Sequence, residues 1–163
     1  PAMPLWVRAA FFTLLVPGSV AGVIPYTLAN SSYAFPYDIG RGRLLGLVPV
    51  ALGVLTYIST TWQFGAVGHG TPAPWDPPRQ LVKSGLHAWV RNPMYVGVLL
   101  CIVGEGLLWQ SGIVFAYATV VGLAFHLRVL AYEEPMLRRT FGAVVDSYAE
   151  EVPRWIPRRP PHD

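Results

Sequence analysis

The stretch Lys83-Ser-Gly-Leu-His-Ala-Trp-Val-Arg-Asn-Pro-Met-Tyr-Val-Gly97 passes from a polar loop into an apolar helix. Asn92 suits the N-cap because its side chain can accept from free N–H groups of the first turn, and Pro93 suits the first helical position because it has no N–H to lose. Arg91 and Tyr95 would then lie beside a helix N-terminus, which favours a bound anion. The stretch predicts a helix start, beside either an anion site or an ordinary interfacial Arg and Tyr.

The composition of the whole chain is that of a membrane protein. Of the 163 residues, 53% are hydrophobic and 13% are charged, whereas soluble domains carry roughly 25% charged residues. The mean hydropathy is +0.40. The single cysteine, Cys101, leaves no disulfide framework or CxxC site. The first apolar run lacks a small-residue cleavage site, so it is expected to remain as a span.

The uncharged runs predict about four transmembrane helices in one domain. Pro17 is expected to kink the first of them, and Pro135 is expected to end the fourth. The turn at 110–112 is so short that the third and fourth helices must form an antiparallel hairpin. The predicted spans are 5–28, 44–61, 93–109 and 113–132.

The segment after the fourth span has amphipathic spacing. Leu137, Phe141, Val145 and Tyr148 recur at helical intervals among charged residues, which predicts a helix lying at the membrane surface. The basic and aromatic tail, 152–159, is expected among lipid headgroups. The predicted fold class is therefore all-α, a polytopic membrane helical bundle with a C-terminal interfacial helix.

The positive charges predict the orientation. With four spans, the two termini and the 63–92 loop share one side, which the positive-inside rule assigns to the cytoplasm, most simply at the cytoplasmic membrane. The net charge of +3 then indicates attraction to a membrane surface, and nucleic acid is not expected as a partner. On the cytoplasmic side fall Arg8, Arg79, Lys83, Arg91, Arg128, Arg138, Arg139, Arg154, Arg158 and Arg159, and opposite them only Arg41 and Arg43.

Two adjacent carboxylates, Glu133 and Glu134, follow the fourth span. Because the hairpin is antiparallel, they are expected to lie level with Arg91, Asn92 and Tyr95. A cation and a helix N-terminus on one side and two carboxylates on the other would suit a zwitterion such as a free amino acid group. The alternative is a structural Arg-Glu pair that closes the hairpin.

Polar groups within the spans are also candidates for function. His126 shares a helix face with Glu133, and Glu105 lies ~18 Å along the third helix, where it is expected to be neutral or paired. Gly97 and Gly104 lie on one face and would let a neighbouring helix approach closely. His69 and His87 have no partners at metal-ligand spacing, so no metal site is predicted.

The order of several motifs resembles the membrane-integral methyltransferases that include isoprenylcysteine carboxyl methyltransferase and phosphatidylethanolamine N-methyltransferase. The resemblance covers roughly 65–157, and it divides the single domain 1–163 into N-terminal helices, 1–62, and a cofactor-binding region, 63–163. The chain departs from the family pattern at 86–88. The motifs are Gly85, 91–97, Glu133-Glu134-Pro135, Leu137, Phe141-Gly142, Tyr148 and Val152-Pro153-Arg154.

The resemblance implies that S-adenosylmethionine is the cofactor. Glu133 and Glu134 would bind its ammonium, and Arg91 would take its carboxylate or orient the acceptor. The catalytic residues it implies are Arg91 and Glu134. The cofactor-binding residues are Leu81, Val82, Gly85, His87, Asn92, Pro93, Tyr95, His126, Glu133 and Glu134.

The predicted activity is methyl transfer to a lipophilic or lipid-linked acceptor within the membrane, with a carboxylate favoured over a phospholipid amine. An amine acceptor would also need a group to take its proton, for which Glu134 or His126 is available. Two other classes stay open: a non-catalytic membrane subunit or small transporter using Glu105 and His126, and a lipid double-bond reductase with a nicotinamide cofactor.

Overall fold

The computed structural model describes residues 4–73 and 78–160, and in this part of the chain it contains helices and no strands. Two π-helical turns, Ser19–Val23 and Val129–Glu133, and two 3-10 turns, Gly40–Gly46 and Gly85–Ala88, lie between or beside the α-helices. The α-helices are α1 (Leu5–Leu15), α2 (Ile24–Ala29), α3 (Leu47–Ala66), α4 (Pro93–Leu108), α5 (Gly112–Arg128), α6 (Glu134–Phe141) and α7 (Val144–Glu151).

Within residues 4–73 and 78–160, three continuous helical runs are long and apolar enough to cross a membrane: Leu5–Ala29, Gly40–Ala66 and Gly112–Phe141. Helix α4, which corresponds to the predicted third span, is also apolar but has only 16 residues. At 1.5 Å per residue it extends about 24 Å, less than a ~30 Å hydrocarbon core. The predicted all-α membrane bundle is confirmed, with three full-length apolar helices and one shorter one.

The first span is interrupted next to Pro17, the residue at which a kink was predicted. Helix α1 ends at Leu15, and the chain resumes through the π-helical turn Ser19–Val23. Ser19 Oγ donates to Leu15 O at 2.6 Å, and Tyr117 Oη of α5 donates to Val20 O at 2.8 Å. Side chains therefore satisfy carbonyls at the interruption, as required where no water can reach the backbone.

The prediction that Pro135 ends the fourth span is wrong. The helix continues through Pro135 to Phe141 because the π-helical turn Val129–Glu133 directly precedes α6 and accommodates the proline in its first turn. The single amphipathic helix is also divided in two, because Gly142 adopts φ +66 between α6 and α7. Val145 and Tyr148 are buried in the protein rather than presented to lipid.

Helices α3 and α4 are in close contact at glycines, as the spacing of Gly97 and Gly104 predicted. A Cβ on Gly97 would lie 2.9 Å from Gly53 O, and a Cβ on Gly104 would lie 2.6 Å from Gly46 O. The partner glycines, Gly53 in α3 and Gly46 directly before it, are also seven residues apart. This spacing brings the two backbones into contact, the geometry that small residues allow between membrane helices.

We expect Gly53→Ala to lower the free energy of unfolding by about 1–3 kcal/mol, the usual cost of overpacking. The added methyl would lie 2.5 Å from Gly97 O and 2.6 Å from Cys101 Sγ, so a helix backbone must move. Gly22→Ala is the matched control, because nothing lies within 4 Å of a Cβ there. Unfolding in detergent followed by circular dichroism measures both, and equal stability of the two variants would contradict the close contact.

The connections divide between two ends of the bundle, as an antiparallel arrangement requires. At one end the segment after α2 contacts the turn between α4 and α5: Ser111 Oγ donates to Ala34 O at 2.8 Å, and Gly112 N donates to Phe35 O at 3.0 Å. At the other end Arg91 N donates to Pro153 O at 2.9 Å. The predicted hairpin of the third and fourth spans is confirmed, and the site residues lie at its open end.

Candidate functional site

Glu134 forms the centre of an ion-pair cluster in which α4, α6 and the C-terminal segment meet. Its carboxylate accepts from Arg154 Nε at 2.7 Å, Arg154 Nη2 at 3.2 Å and Arg91 Nη1 at 3.2 Å, and Arg138 Nη2 lies 3.9 Å away. The side chains of Glu134 and Arg91 are only 10% and 14% exposed. Buried charges of this kind are tolerated because each has a charged partner.

Glu133 has a separate set of partners. Its Oε1 accepts from Tyr95 Oη and from Arg128 Nε, the latter at 2.9 Å, and Arg128 Nε lies 3.1 Å from Tyr95 Oη. The structure therefore brings Arg91, Tyr95, Glu133 and Glu134 together, as the antiparallel hairpin predicted. Each carboxylate is also paired with an arginine of the protein, as expected if these residues form a structural Arg-Glu pair that closes the hairpin.

Asn92 occupies the N-cap of α4 without capping it. Its side chain makes no cap hydrogen bond, and Nδ2 instead donates to Arg154 O at 3.1 Å, so the predicted capping role is wrong. The C-terminal segment takes the side chain because it packs directly against the start of α4. Pro93, the first residue of the helix, is fully buried.

Arg91 keeps an unused donor inside this cluster. Its Nε is buried and has no hydrogen-bond partner among residues 4–73 and 78–160. Burial lowers the pKa of Arg91, an effect that the charge of Glu134 partly offsets. A buried guanidinium N–H without a partner is costly. This N–H can therefore donate to an incoming carboxylate.

Four of the predicted cofactor-binding residues lie in the loop before α4 and contact protein: Leu81, Val82, Gly85 and His87. Gly85 has φ +60, which favours glycine, and a Cβ there would displace the Gln63 side chain, whose Nε2 would lie 1.6 Å away. His87 Nδ1 is 3.0 Å from Gln63 Oε1, and Tyr148 Oη donates to His87 O at 2.6 Å. Val82 is buried and Leu81 half-buried.

His87 is held in its neutral form. Its residue surface is 5% exposed, and burial lowers its pKa from 6.5 to about 4. The ring also lies against Phe64, with 5.3 Å between ring centroids. Burial raises the pKa of Tyr148, which therefore stays a phenol that can donate to His87 O.

A cavity of about 440 Å³ lies beside the cluster, between α4, α5 and the C-terminal segment. At its polar wall Trp155 Nε1 donates to His126 Nδ1 at 3.0 Å. Tyr95 stacks on Phe125 with 4.3 Å between centroids and lies 6.5 Å from the Trp155 ring, so cavity and cluster adjoin. The lining residues are Val96, Leu99, Leu100, Val103, Gly122, His126 and Trp155.

The contribution of the C-terminal segment to this site was not predicted from the sequence. The tail was expected among lipid headgroups, but Arg154 binds Glu134 and Trp155 lines the cavity. Arg154 belonged to the family motif, a signal that could have placed it at the site. Nothing in the local sequence indicated that Trp155 would reach His126, 29 residues earlier.

Other polar candidates do not join the cluster. Glu105 has a buried Oε2 with no hydrogen-bond partner among the residues that the structure describes. In the same ranges no group of three or more His, Cys, Asp or Glu residues is placed to hold a metal ion.

The matching family model and two of the similar proteins are methyltransferases by name. The model of the phospholipid methyltransferase family matches residues 42–144, more than half of the chain. A probable protein-S-isoprenylcysteine O-methyltransferase of Oryza sativa subsp. indica is 26% identical over 114 residues, which cover 69% of this chain and 60% of that protein. Protein-S-isoprenylcysteine O-methyltransferase B of Arabidopsis thaliana is 35% identical over 79 residues, 48% of this chain and 40% of that protein.

A third relative carries a different name. The nickel-cobalt-cadmium resistance protein NccN of Alcaligenes xylosoxydans xylosoxydans is 34% identical over 82 residues, 48% of this chain and 37% of that protein. The chain thus spans about 60% or less of the length of these curated relatives. The family match includes Arg91, Tyr95, Glu133 and Glu134 and extends over three of the four apolar helices. The chain therefore belongs to the phospholipid methyltransferase family.

Proposed function

We propose that this chain transfers a methyl group from S-adenosylmethionine to a lipophilic acceptor, most simply a carboxylate of the isoprenylcysteine kind. The observation that carries the proposal is the contact between a charged cluster and an apolar cavity at one end of the hairpin. A polar cofactor suits the cluster, and an apolar chain suits the cavity. The proposed cofactor-binding region, 63–163, contains both.

The side chains present fit the amino acid group of this cofactor. The buried, unpartnered Nε of Arg91 can donate to a carboxylate. Glu133 uses only Oε1 in its contacts with described residues, which leaves Oε2 to accept from an ammonium. Glu134 is a weaker candidate for the ammonium because arginines already occupy both of its oxygens. We therefore assign Glu134 to holding Arg91 and Arg154 in position.

When bound, the cofactor supplies a methyl group on a positively charged sulfur, which a nucleophile can displace in line. The protein has to align the acceptor and exclude water. Tyr95 and Trp155 form the boundary between cluster and cavity, so they separate the polar from the apolar compartment. A carboxylate acceptor arrives without a proton to lose and needs no base.

A phospholipid amine is the second candidate acceptor, because the matching family model describes phospholipid methyltransferases. An amine must lose a proton during transfer, and Glu134 or His126 would have to accept it. Glu134 is tied to arginines, and His126 Nδ1 already accepts from Trp155. These contacts favour the carboxylate.

The membrane placement follows the distribution of charge. We propose that the end of the bundle that holds Arg91, Arg138 and Arg154 faces the cytoplasm, as do both termini, and that the membrane is the cytoplasmic one. The cofactor would then enter from the cytoplasm, while the acceptor reaches the cavity from the bilayer.

Cofactor binding and methyl transfer test the proposal. We expect S-adenosylmethionine, and not a nicotinamide nucleotide, to raise the melting temperature of the purified protein. Radiolabelled methyl transfer should be greatest to N-acetyl-S-farnesyl-cysteine, smaller to phosphatidylethanolamine, and absent for water-soluble thiols. Stabilisation by the nicotinamide nucleotide would instead support the reductase, and no stabilisation by either would support a non-catalytic protein.

Arg91 provides the test of the cofactor site itself. Arg91→Ala should weaken S-adenosylmethionine binding by about 1.5 kcal/mol or more, the contribution of a hydrogen bond to a charged group. Arg79→Ala is the matched control, since Arg79 is exposed in the preceding loop. Calorimetry that gives both variants the wild-type affinity would contradict the placement of the cofactor beside α4.

A further inference from the structure

We infer that Trp155 fixes His126 as a hydrogen-bond donor, and that this donor makes the cavity select a lipophilic carboxylate over a lipophilic amine. The inference rests on the proposed function, since it names the acceptor class for the same site. The supporting observation is the hydrogen bond from Trp155 to His126. Among the described residues it is the only contact between ring nitrogens that joins the C-terminal segment to α5.

The tautomer of His126 follows from its partner. An indole N–H can only donate, so His126 Nδ1, 3.0 Å from Trp155 Nε1, must be the bare acceptor nitrogen. A neutral imidazole then carries its proton on Nε2. Within the described ranges no hydrogen bond engages Nε2, so this N–H is left for an occupant of the cavity.

The surroundings make this donor selective. Apart from His126 and the Trp155 indole, the lining consists of aliphatic side chains and one glycine. A donor in an apolar cavity that loses water without gaining an acceptor is costly. A carboxylate provides lone pairs for Nε2–H, whereas an ammonium provides none and would leave it unpaired. The N–H group that binds a carboxylate headgroup therefore disfavours an ammonium headgroup.

The segment that carries Trp155 is held in place on both sides. Arg154 binds Glu134 through its side chain and accepts from Asn92 Nδ2 through its carbonyl. Phe125, next to His126, stacks on Tyr95. The Trp155–His126 pair is therefore fixed relative to the cluster. A headgroup bound to Nε2–H would have its chain against the aliphatic lining, which includes Leu99, Leu100 and Val103.

Binding without a methyl donor tests the selectivity directly. Two probes of matched shape, 3-(farnesylthio)propionic acid and S-farnesylcysteamine, would compete with radiolabelled N-acetyl-S-farnesyl-cysteine for protein in nanodiscs. We expect the carboxylate-to-amine affinity ratio to fall about tenfold in His126→Leu relative to wild type, the usual effect of losing a hydrogen bond to a charged group. Comparing ratios cancels the partition of each probe into the lipid.

Two further variants separate selectivity from packing. His126→Gln keeps a side-chain donor and should retain part of the preference. Leu99→Val also alters the cavity wall but should weaken both probes equally and leave the ratio unchanged. An unchanged ratio in His126→Leu, or an equal fall in Leu99→Val, would overturn the inference.

A spectroscopic readout tests the tautomer independently of any ligand. In protein with ¹⁵N-labelled histidine, His126 should show a bare Nδ1 and a protonated Nε2, and Trp155→Phe should shift it toward a mixture of tautomers. A protonated Nδ1 in the wild type would overturn the inference. If the affinity ratio and the tautomer are as expected but no methyl transfer occurs, the inference stands and only the proposed function is contradicted.

Discussion

Replacing Glu134 with Gln is expected to lower the free energy of unfolding by about 3–5 kcal/mol, the range for breaking a buried ion pair. Glu134 is the common partner of Arg91, Arg138 and Arg154. Glutamine fills nearly the same volume but carries no charge. The variant would leave three positive charges together, with Arg91 only 14% exposed.

Local opening should increase most at the junction that Glu134 holds. This carboxylate links the start of α4, through Arg91, to the C-terminal segment, through Arg154. Chemical unfolding in detergent would give the global change. Hydrogen exchange should show faster exchange at 152–158 than in α3, because only the former segment depends on the cluster.

Asp146→Asn is the matched control for this experiment. Asp146 also accepts from an arginine, Arg138, at 2.8 Å, but its side chain is 57% exposed. Exposed ion pairs contribute about 0–1 kcal/mol, so this variant should remain close to wild type. If Glu134→Gln cost no more than Asp146→Asn, the cluster would not be what holds the C-terminal segment in place.

Acidification is expected to destabilise the fold through His87. The unfolded chain binds a proton here below the ordinary pKa of 6.5, whereas folded His87 stays neutral until about pH 4. The unfolded state therefore binds more protons between these values, and stability falls as the pH decreases. The full difference amounts to about 3 kcal/mol, lost progressively below pH 6.5.

His87→Gln should remove most of this pH dependence, since glutamine is polar and does not titrate. Unfolding midpoints at pH 7, 6 and 5 measure this pH dependence. These values are chosen because they lie above the range in which exposed carboxylates titrate. His69→Gln is the control, because His69 is exposed and should leave the wild-type slope intact. The same slope in His87→Gln and wild type would show that His87 is not the group responsible.

Features that depend on local composition could be predicted from the sequence. The apolar runs, the helix start at Pro93 and the interruption after Leu15 each follow from neighbouring residues. So does the placement of Arg91 and Tyr95 level with Glu134 and Glu133, since a short turn makes α4 and α5 antiparallel and sets their ends level. Helical periodicity also placed Gly97 and Gly104 on one face, although only packing identified α3 as the neighbour.

The two errors about helix ends have different physical causes. Pro135 was expected to stop a helix, but a π-helical turn accommodates it and lets α6 continue. Asn92 was expected to cap α4 with its side chain, but the C-terminal segment offered it another acceptor. The first error comes from a local change in helix geometry, and the second comes from a tertiary contact that exceeds a capping preference of about 1 kcal/mol.

The sequence by itself determined that this chain is a membrane helical bundle with arginine and glutamate at one end of a hairpin, because apolar length and periodicity are local properties. Only the tertiary structure decided which partners those charges take. The path of the chain after α7 brings Arg154 to Glu134 and Trp155 to His126. Contacts between residues 20 and 29 positions apart depend on how helices pack and on where a break such as Gly142 turns the chain, and no local pattern encodes that direction.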